Sequence, residues 1–230
     1  MRHLAAGPNI RTLDAGCGNG YFSILAFKRG NDVLGISRDA GAIERCVDFR
    51  DFQRIPASRL QYKVHNLYDL DQLDGAFDQI LCLETLEHIW DDARVVQLFY
   101  RKLNPGGRLL LGVPNAQARD FYGEKISTVE DGGHVRAGYT FEDLESMLTA
   151  SGFRIEARDT YGGGMSRRAI VCHRRLVDAL NTLPLSRAIV LAADYASFLP
   201  LYPLTYLDPL VNDDPMSILV VAAKPSCPSN

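Results

Sequence analysis

The chain has 230 residues, 47% apolar and 23% charged, enough for one soluble domain of ordinary size with its own core. Its 25 Lys and Arg stand against 28 Asp and Glu, a net charge of -3 that excludes any global attraction to a phosphate backbone and argues against a nucleic-acid substrate, though not against a local basic patch. Five dispersed cysteines (Cys17, Cys46, Cys82, Cys172 and Cys227) contain no C-x-x-C pair and fit free thiols in a reducing compartment. No long apolar run opens the chain, and no segment reaches the roughly 18 to 20 apolar residues that span a bilayer, so the cytoplasm is the expected location.

Short apolar strands alternate with longer helical patterns through the first two-thirds, the signature of a parallel, doubly wound sheet. Ile10 to Asp14 read as the first strand. Tyr21 to Arg29 read as a helix that Gly30 ends. Asp32 to Ser37 form strand two, and Ala40 to Ile55 a helix stopped by Pro56. Leu60 to His65 and Phe77 to Leu83 follow as strands three and four. A helix over Asp91 to Leu103 carries acidic residues in its first turn, which suits the helix dipole. Pro105-Gly106-Gly107 breaks it before strand five, Arg108 to Val113. Thr140 is a good N-cap with Asp143 in the capping-box position, and its helix ends at Gly152. Phe153 to Tyr161 read as strand six and Ser217 to Ala223 as the last strand.

Between those two strands, residues 162–215 hold a glycine run, apolar helical patterns and a Pro- and Tyr-rich stretch over Leu199 to Leu210. A hairpin needs only a few residues there. The stretch therefore reads either as a cap over an acceptor site or as an elaboration packed on the sheet edge. Contact with a membrane surface through Arg187 to Leu204 is a weaker third reading. The whole chain, 1–230, reads as a single domain carrying this insertion.

Asp14-Ala15-Gly16-Cys17-Gly18-Asn19-Gly20 sits between the first strand and the first helix. Glycines allow a sharp turn and a close backbone approach to a ligand, which open parallel sheets bind beyond the carboxyl ends of their strands. The spacing is G-x-G-x-G, not the G-x-G-x-x-G of dinucleotide folds. An acidic residue leading the turn suits a cationic ligand with an amino group better than a phosphate.

The run Leu13 to Gly20 resembles motif I of the class I S-adenosylmethionine-dependent methyltransferases. Phe77 to Cys82 resemble their fourth strand, Leu103 to Leu109 their "LKPGG" turn, and Gly152-Phe153 the "GF" before strand six. The likeness runs from about Ile10 to Tyr161 and resumes at the last strand. It implies an α/β, Rossmann-like sheet of seven strands with one antiparallel, helices on both faces, and a helical insertion before the last strand. It also implies S-adenosylmethionine as cofactor. The glycine turn (Gly16, Cys17, Gly18, Gly20) would hold the methionine part, with Asp14 reaching its amino group through water. The family usually places an acid for the ribose at the end of strand two. Here Ser37 stands at that position, with Asp39 two residues on as a substitute. Asn66 matches the residue that meets the adenine amino group, with the backbone of Leu67 beside it, and Leu83 closes the set at the end of strand four.

Glu84-Thr85-Leu86-Glu87-His88 follow strand four, on the acceptor side, and Gly133-His134-Val135-Arg136 come later. The E-x-x-E-H stretch resembles that of the ubiquinone-biosynthesis O-methyltransferases, and the distant histidine that of the small-RNA 3′-terminal 2′-O-methyltransferases. By that resemblance Glu84, Glu87, His88 and His134 hold a divalent ion such as Mg, Mn, Fe or Zn, which would acidify a coordinated hydroxyl. Two other readings stay open: His88 or His134 as a catalytic general base without metal, and plain structural hydrogen bonding. Val113-Pro114-Asn115 read equally as an acceptor-pocket feature or a strand-ending turn. Arg136 and Tyr139 are candidate acceptor contacts. Arg167, Arg168, Arg174 and Arg175 read as a solvated face or an anion site. His3, His65 and His173 belong to no pattern and read as surface or structural.

The function expected is O-methylation of a small, partly apolar hydroxylated metabolite, with or without a metal. RNA 2′-O-methylation and a non-catalytic binding protein on the same fold are the alternatives. The sequence leaves the oligomeric state open.

Overall fold

The computed structural model describes residues 2–118, 126–182 and 215–226. In chain order these form β1 (Arg11–Ala15), α1 (Tyr21–Lys28), β2 (Asp32–Ser37), α2 (Ala40–Phe52), β3 (Leu60–Val64), β4 (Phe77–Leu83), α3 (Asp92–Lys102), β5 (Leu103–Pro114), α4 (Phe141–Ala150), β6 (Arg154–Tyr161), α5 (Gly164–Asn181) and β7 (Ser217–Ala223). Two short 3₁₀ stretches, Leu67–Gln72 and Leu86–His88, follow β3 and β4.

The strands make one seven-stranded sheet in the order β3-β2-β1-β4-β5-β7-β6. β7 runs antiparallel to both of its neighbours, β5 and β6, while the β1–β2, β2–β3, β1–β4 and β4–β5 pairs are parallel. This is the seven-stranded, Rossmann-like sheet expected. Successive side chains of a strand point to opposite faces. In β4, Ile80 and Cys82 therefore enter one core with Val95 and Phe99 of α3 and Leu144 and Leu148 of α4. Leu81 and Leu83 enter the other, with Ala26 of α1 and Leu110.

Local chemistry explains the helix starts. The Asp39 carboxylate accepts the N–H groups of Gly41 and Ala42 at the head of α2, and Asp91 accepts from Arg94 at the head of α3. Thr140 and Asp143 form the reciprocal capping box foreseen for α4. The boundaries differ in two places. α2 ends at Phe52 rather than Ile55, because Arg54 takes the left-handed φ of 54°. β5 starts at Leu103 rather than Arg108, since Leu103 pairs with Phe77 and Gly106 donates to the Lys224 carbonyl, so the Pro-Gly-Gly turn is absorbed into the sheet edge.

Strand order reverses direction between β1 and β4, whose connections leave on opposite sides. That switch point opens a crevice at their carboxyl ends, where the glycine turn and the residues after β4 meet. Within 162–215, α5 is a helix as expected, whereas Arg187 to Leu204 and Leu199 to Leu210 lie outside the described residues. The side chains of Arg167, Arg168 and Arg174 lie outside them too. Among the described residues no helix is long and apolar enough to cross a membrane. Cys17, Cys46, Cys82 and Cys172 are free thiols.

Candidate active site

Beyond Ala15 the chain turns back on β2. Gly16 and Cys17 both donate to the Ile36 carbonyl, at 3.0 and 2.9 Å, and Gly20 donates to the Cys17 carbonyl at 2.8 Å. The turn needs left-handed backbone at Gly16 (φ 82°) and Gly18 (φ 52°). A Cβ on Gly16 would lie 2.4 Å from the Thr85 side chain, whereas one on Gly18 would meet nothing within 4 Å. Gly16→Ala is expected to destabilise the fold by about 3 kcal/mol, the sum of left-handed strain and overpacking. Gly18→Ala should cost only about 1 kcal/mol, the strain alone. Urea denaturation of the two variants checks the difference.

The turn forms one wall of a cleft of about 340 Å³. Ser37, Arg38 and Asp39 line it from the end of β2, and His65 to Tyr68 from the end of β3. Glu84, Thr85, His88 and Ile89 line it after β4, with Glu130 and Gly132 opposite. Of the residues expected to bind cofactor, the cleft lining includes Gly16, Gly18, Ser37, Asn66 and Leu67. Asp14, Cys17, Gly20 and Leu83 are buried behind it. Asp14 is 2% exposed, and its carboxylate accepts the Ser23 hydroxyl at 2.5 Å. Burial pushes that carboxyl up to about 6. The Asn66 side-chain oxygen already accepts from the Tyr68 amide at 3.1 Å, and Asp39 is committed to capping α2.

Sequence reasoning missed Arg38, His65, Tyr68, Ile89, Glu130 and Gly132. His65 had no motif to mark it, yet it ends the β3 segment at the rim of the cleft, 3.0 Å from the Asp69 carbonyl. His3 pairs with Asp159 at 3.1 Å.

Past β4, the 3₁₀ turn over Leu86–His88 points Glu87 inward, where it is 1% exposed. Its Oε1 lies 3.7 Å from His88 Nε2, and its Oε2 is buried with no protein partner, as is His88 Nδ1. The rings of His88 and His134 meet edge to face with centroids 4.7 Å apart. His134 arrives there because Val135 donates its N–H to the Glu87 carbonyl at 2.9 Å. One ligand-capable atom from each of Glu87, His88 and His134 lies within 4.8 Å of the others. Burial, then the charge of Glu84, pushes the Glu87 carboxyl up to about 8.

Three of the four expected metal ligands thus converge, and Glu84 does not join them. Glu84 takes a left-handed φ of 48° and accepts a hydrogen bond from the Tyr161 hydroxyl of β6. A Cβ on Gly112 would lie 2.6 Å from that hydroxyl, so the glycine in β5 makes room for it. No signal in the sequence links positions 84, 112 and 161.

Arg136 and Tyr139 do not line this cleft. Arg136 pairs with Asp92 and donates to the carbonyls of Ile89 and Trp90. The buried Tyr139 donates to Asp92. They fasten the loop that carries His134. Val113-Pro114-Asn115 likewise act as a junction, with Asn115 donating to the Met216 and Pro215 carbonyls.

The sheet order, the switch-point cleft and the glycine turn define a class I methyltransferase fold. The family model for a methyltransferase domain matches residues 2–158, and the chain belongs to that family. It is 32% identical to 27-O-demethylrifamycin SV methyltransferase of Amycolatopsis mediterranei, over 69% of this chain and 58% of that protein. It is 29% identical to the mitochondrial ubiquinone biosynthesis O-methyltransferase of Mus musculus, over 64% of this chain and 42% of that one. The chain thus spans about half the length of these relatives. Among solved structures it resembles the [4+2]-cyclase SpnF with a TM-score of 0.66 at 21% identity, covering 98% of this chain and 78% of that one, a likeness of fold alone.

Proposed function

We propose that this protein transfers a methyl group from S-adenosylmethionine to a hydroxyl of a small, partly apolar metabolite, with a divalent cation held by Glu87, His88 and His134. The observation that carries this reading is the unpartnered Glu87 Oε2, buried beside two imidazoles in a wall that His88 shares with the cleft. A carboxylate and two imidazoles suit Mg, Mn, Fe or Zn. Their converging atoms fit a cation, which supplies a Lewis acid that favours an ionised acceptor oxygen.

The cleft suits the cofactor, whose sulfonium supplies an activated methyl group when bound. Gly18 presents an open face, and Asn66, Leu67 and Ser37 line the cleft; Asn66 and Leu67 would meet the adenine and Ser37 would offer the ribose a hydroxyl in place of the usual acid. Asp14 sits beneath the turn, poised to compensate an ammonium. His88 spans cleft and cluster, so it orients the acceptor oxygen toward the methyl donor. The relative named as a ubiquinone biosynthesis O-methyltransferase and the one named for a 27-O-demethylrifamycin support a hydroxyl acceptor. In this reading the free thiols suit the cytoplasm. The net charge of -3 counts against RNA as acceptor.

The test is a calorimetric titration of Mn²⁺ into protein saturated with S-adenosylhomocysteine, beside His134→Ala. One-to-one binding that weakens about 100-fold in the variant is expected. No binding to the wild type discards the metal and leaves His88 or His134 as a general base.

A further inference from the structure

Residues 126–139 form a strap with its own internal ties. Ser127 donates its N–H to the His134 carbonyl at 2.7 Å, and Gly133 donates to the Asp131 side chain at 2.9 Å. The root of the strap is fastened by Val135 on the Glu87 carbonyl and by Arg136 on Asp92. Its tip reaches across the cleft, where Glu130 and Gly132 face the same space as Gly16 and Gly18.

The tip is held by one carboxylate oxygen. Glu130 Oε1 accepts the Tyr68 hydroxyl at 2.7 Å and the Trp90 amide at 2.5 Å. The Tyr68 hydroxyl in turn accepts the Asp91 amide at 3.1 Å, so the contact is seated on the N-terminus of α3. Hydrogen bonds to a carboxylate are about twice as strong as neutral ones. Trp90 is half exposed, so this junction lies at the rim, where it can open without unpacking a core.

We propose that Glu130 is a latch: by fastening the tip of the strap to Tyr68 and Trp90 it closes the cleft over the cofactor. The latch is a positioning residue for the tip, while the ties of Val135 to Glu87 and Arg136 to Asp92 at the root keep His134 beside His88. A cofactor that fills the cleft enters and leaves with the tip raised, so the latch sets its rate of release. The inference rests on the cleft being the cofactor site.

The test combines amide hydrogen exchange with the dissociation rate of S-adenosylhomocysteine. In the wild type the ligand should slow exchange across residues 126–138 by roughly tenfold. Glu130→Ala should abolish that protection and speed ligand dissociation roughly tenfold. Glu130→Gln, which keeps an acceptor oxygen for both donors but loses the charge, should dissociate more slowly than Glu130→Ala, a partial rescue that a loss of general stability would not give. Tyr68→Phe, which keeps the ring but loses the hydroxyl, should fall between. Equal strap exchange with and without ligand, or wild-type dissociation from Glu130→Ala and Tyr68→Phe, overturns the latch. A wild type that binds no S-adenosylhomocysteine at all overturns the cofactor reading first, and the latch with it.

Discussion

Glu87→Gln is expected to weaken Mn²⁺ binding by about 100-fold or more while leaving S-adenosylhomocysteine affinity within about threefold. The substitution keeps the shape of a side chain that is 1% exposed. It also keeps the Glu87 carbonyl that anchors Val135. What it removes is the group beside the two imidazoles that can carry a negative charge, the feature on which the proposed cation site depends. Loss of a single outer partner of a metal ligand already costs about 10–100-fold, so loss of a ligand should cost at least as much. Methyl transfer, read as S-adenosylhomocysteine release with a panel of hydroxylated aromatics, should fall about 100-fold or more in Glu87→Gln and in His88→Ala. Full activity in both variants would remove these residues from the chemistry.

Asp14→Asn should be more stable than the wild type at about pH 7.5 and bind S-adenosylhomocysteine at least about tenfold more weakly. In the fold the Asp14 carboxyl is raised from 3.8 to about 6. The folded state therefore holds a proton that the unfolded chain releases between about pH 4 and pH 6, and stability falls as pH rises through that window. Above that window the ionised, buried carboxylate costs about 3 kcal/mol, since each tenfold change in its ionisation equilibrium is worth about 1.4 kcal/mol. Asparagine keeps an acceptor for Ser23 without that cost. Melting curves at about pH 7.5 and about pH 4 check the sign, because the gain should vanish at the lower pH, where the wild-type carboxyl is mostly neutral when folded. A destabilised carboxylate under a ligand turn is compensated by a cationic amino group, which is why the same change should weaken the ligand. Unaltered affinity would reduce Asp14 to a structural role.

Much of this protein is legible along the chain because its causes are local. The glycine turn, the Asp39 and Asp91 caps, the Thr140–Asp143 box and the alternation in β4 each depend on residues a few positions apart. The sheet class, the position of the cleft and the E-x-x-E-H stretch follow from them.

Other features depend on which distant segments share a neighbourhood. Glu84 belongs to the same five-residue motif as Glu87 and His88, yet a left-handed backbone and a phenol from β6 take it elsewhere. His134 joins the cluster through a backbone bond from Val135 to Glu87, a tie that no side-chain pattern announces. Glu130 is one acid among several in a polar loop, and only the fold sets it between Tyr68 and Trp90. The sequence by itself determined the elements and the cofactor turn, since hydrogen-bond caps, glycine dihedrals and period-two burial act over short stretches of chain. Only the tertiary structure decided which side chains converge on Glu87 and where Glu130 is held, because those rest on contacts that the segment after β4 makes with β6 and with a loop far downstream of the motif.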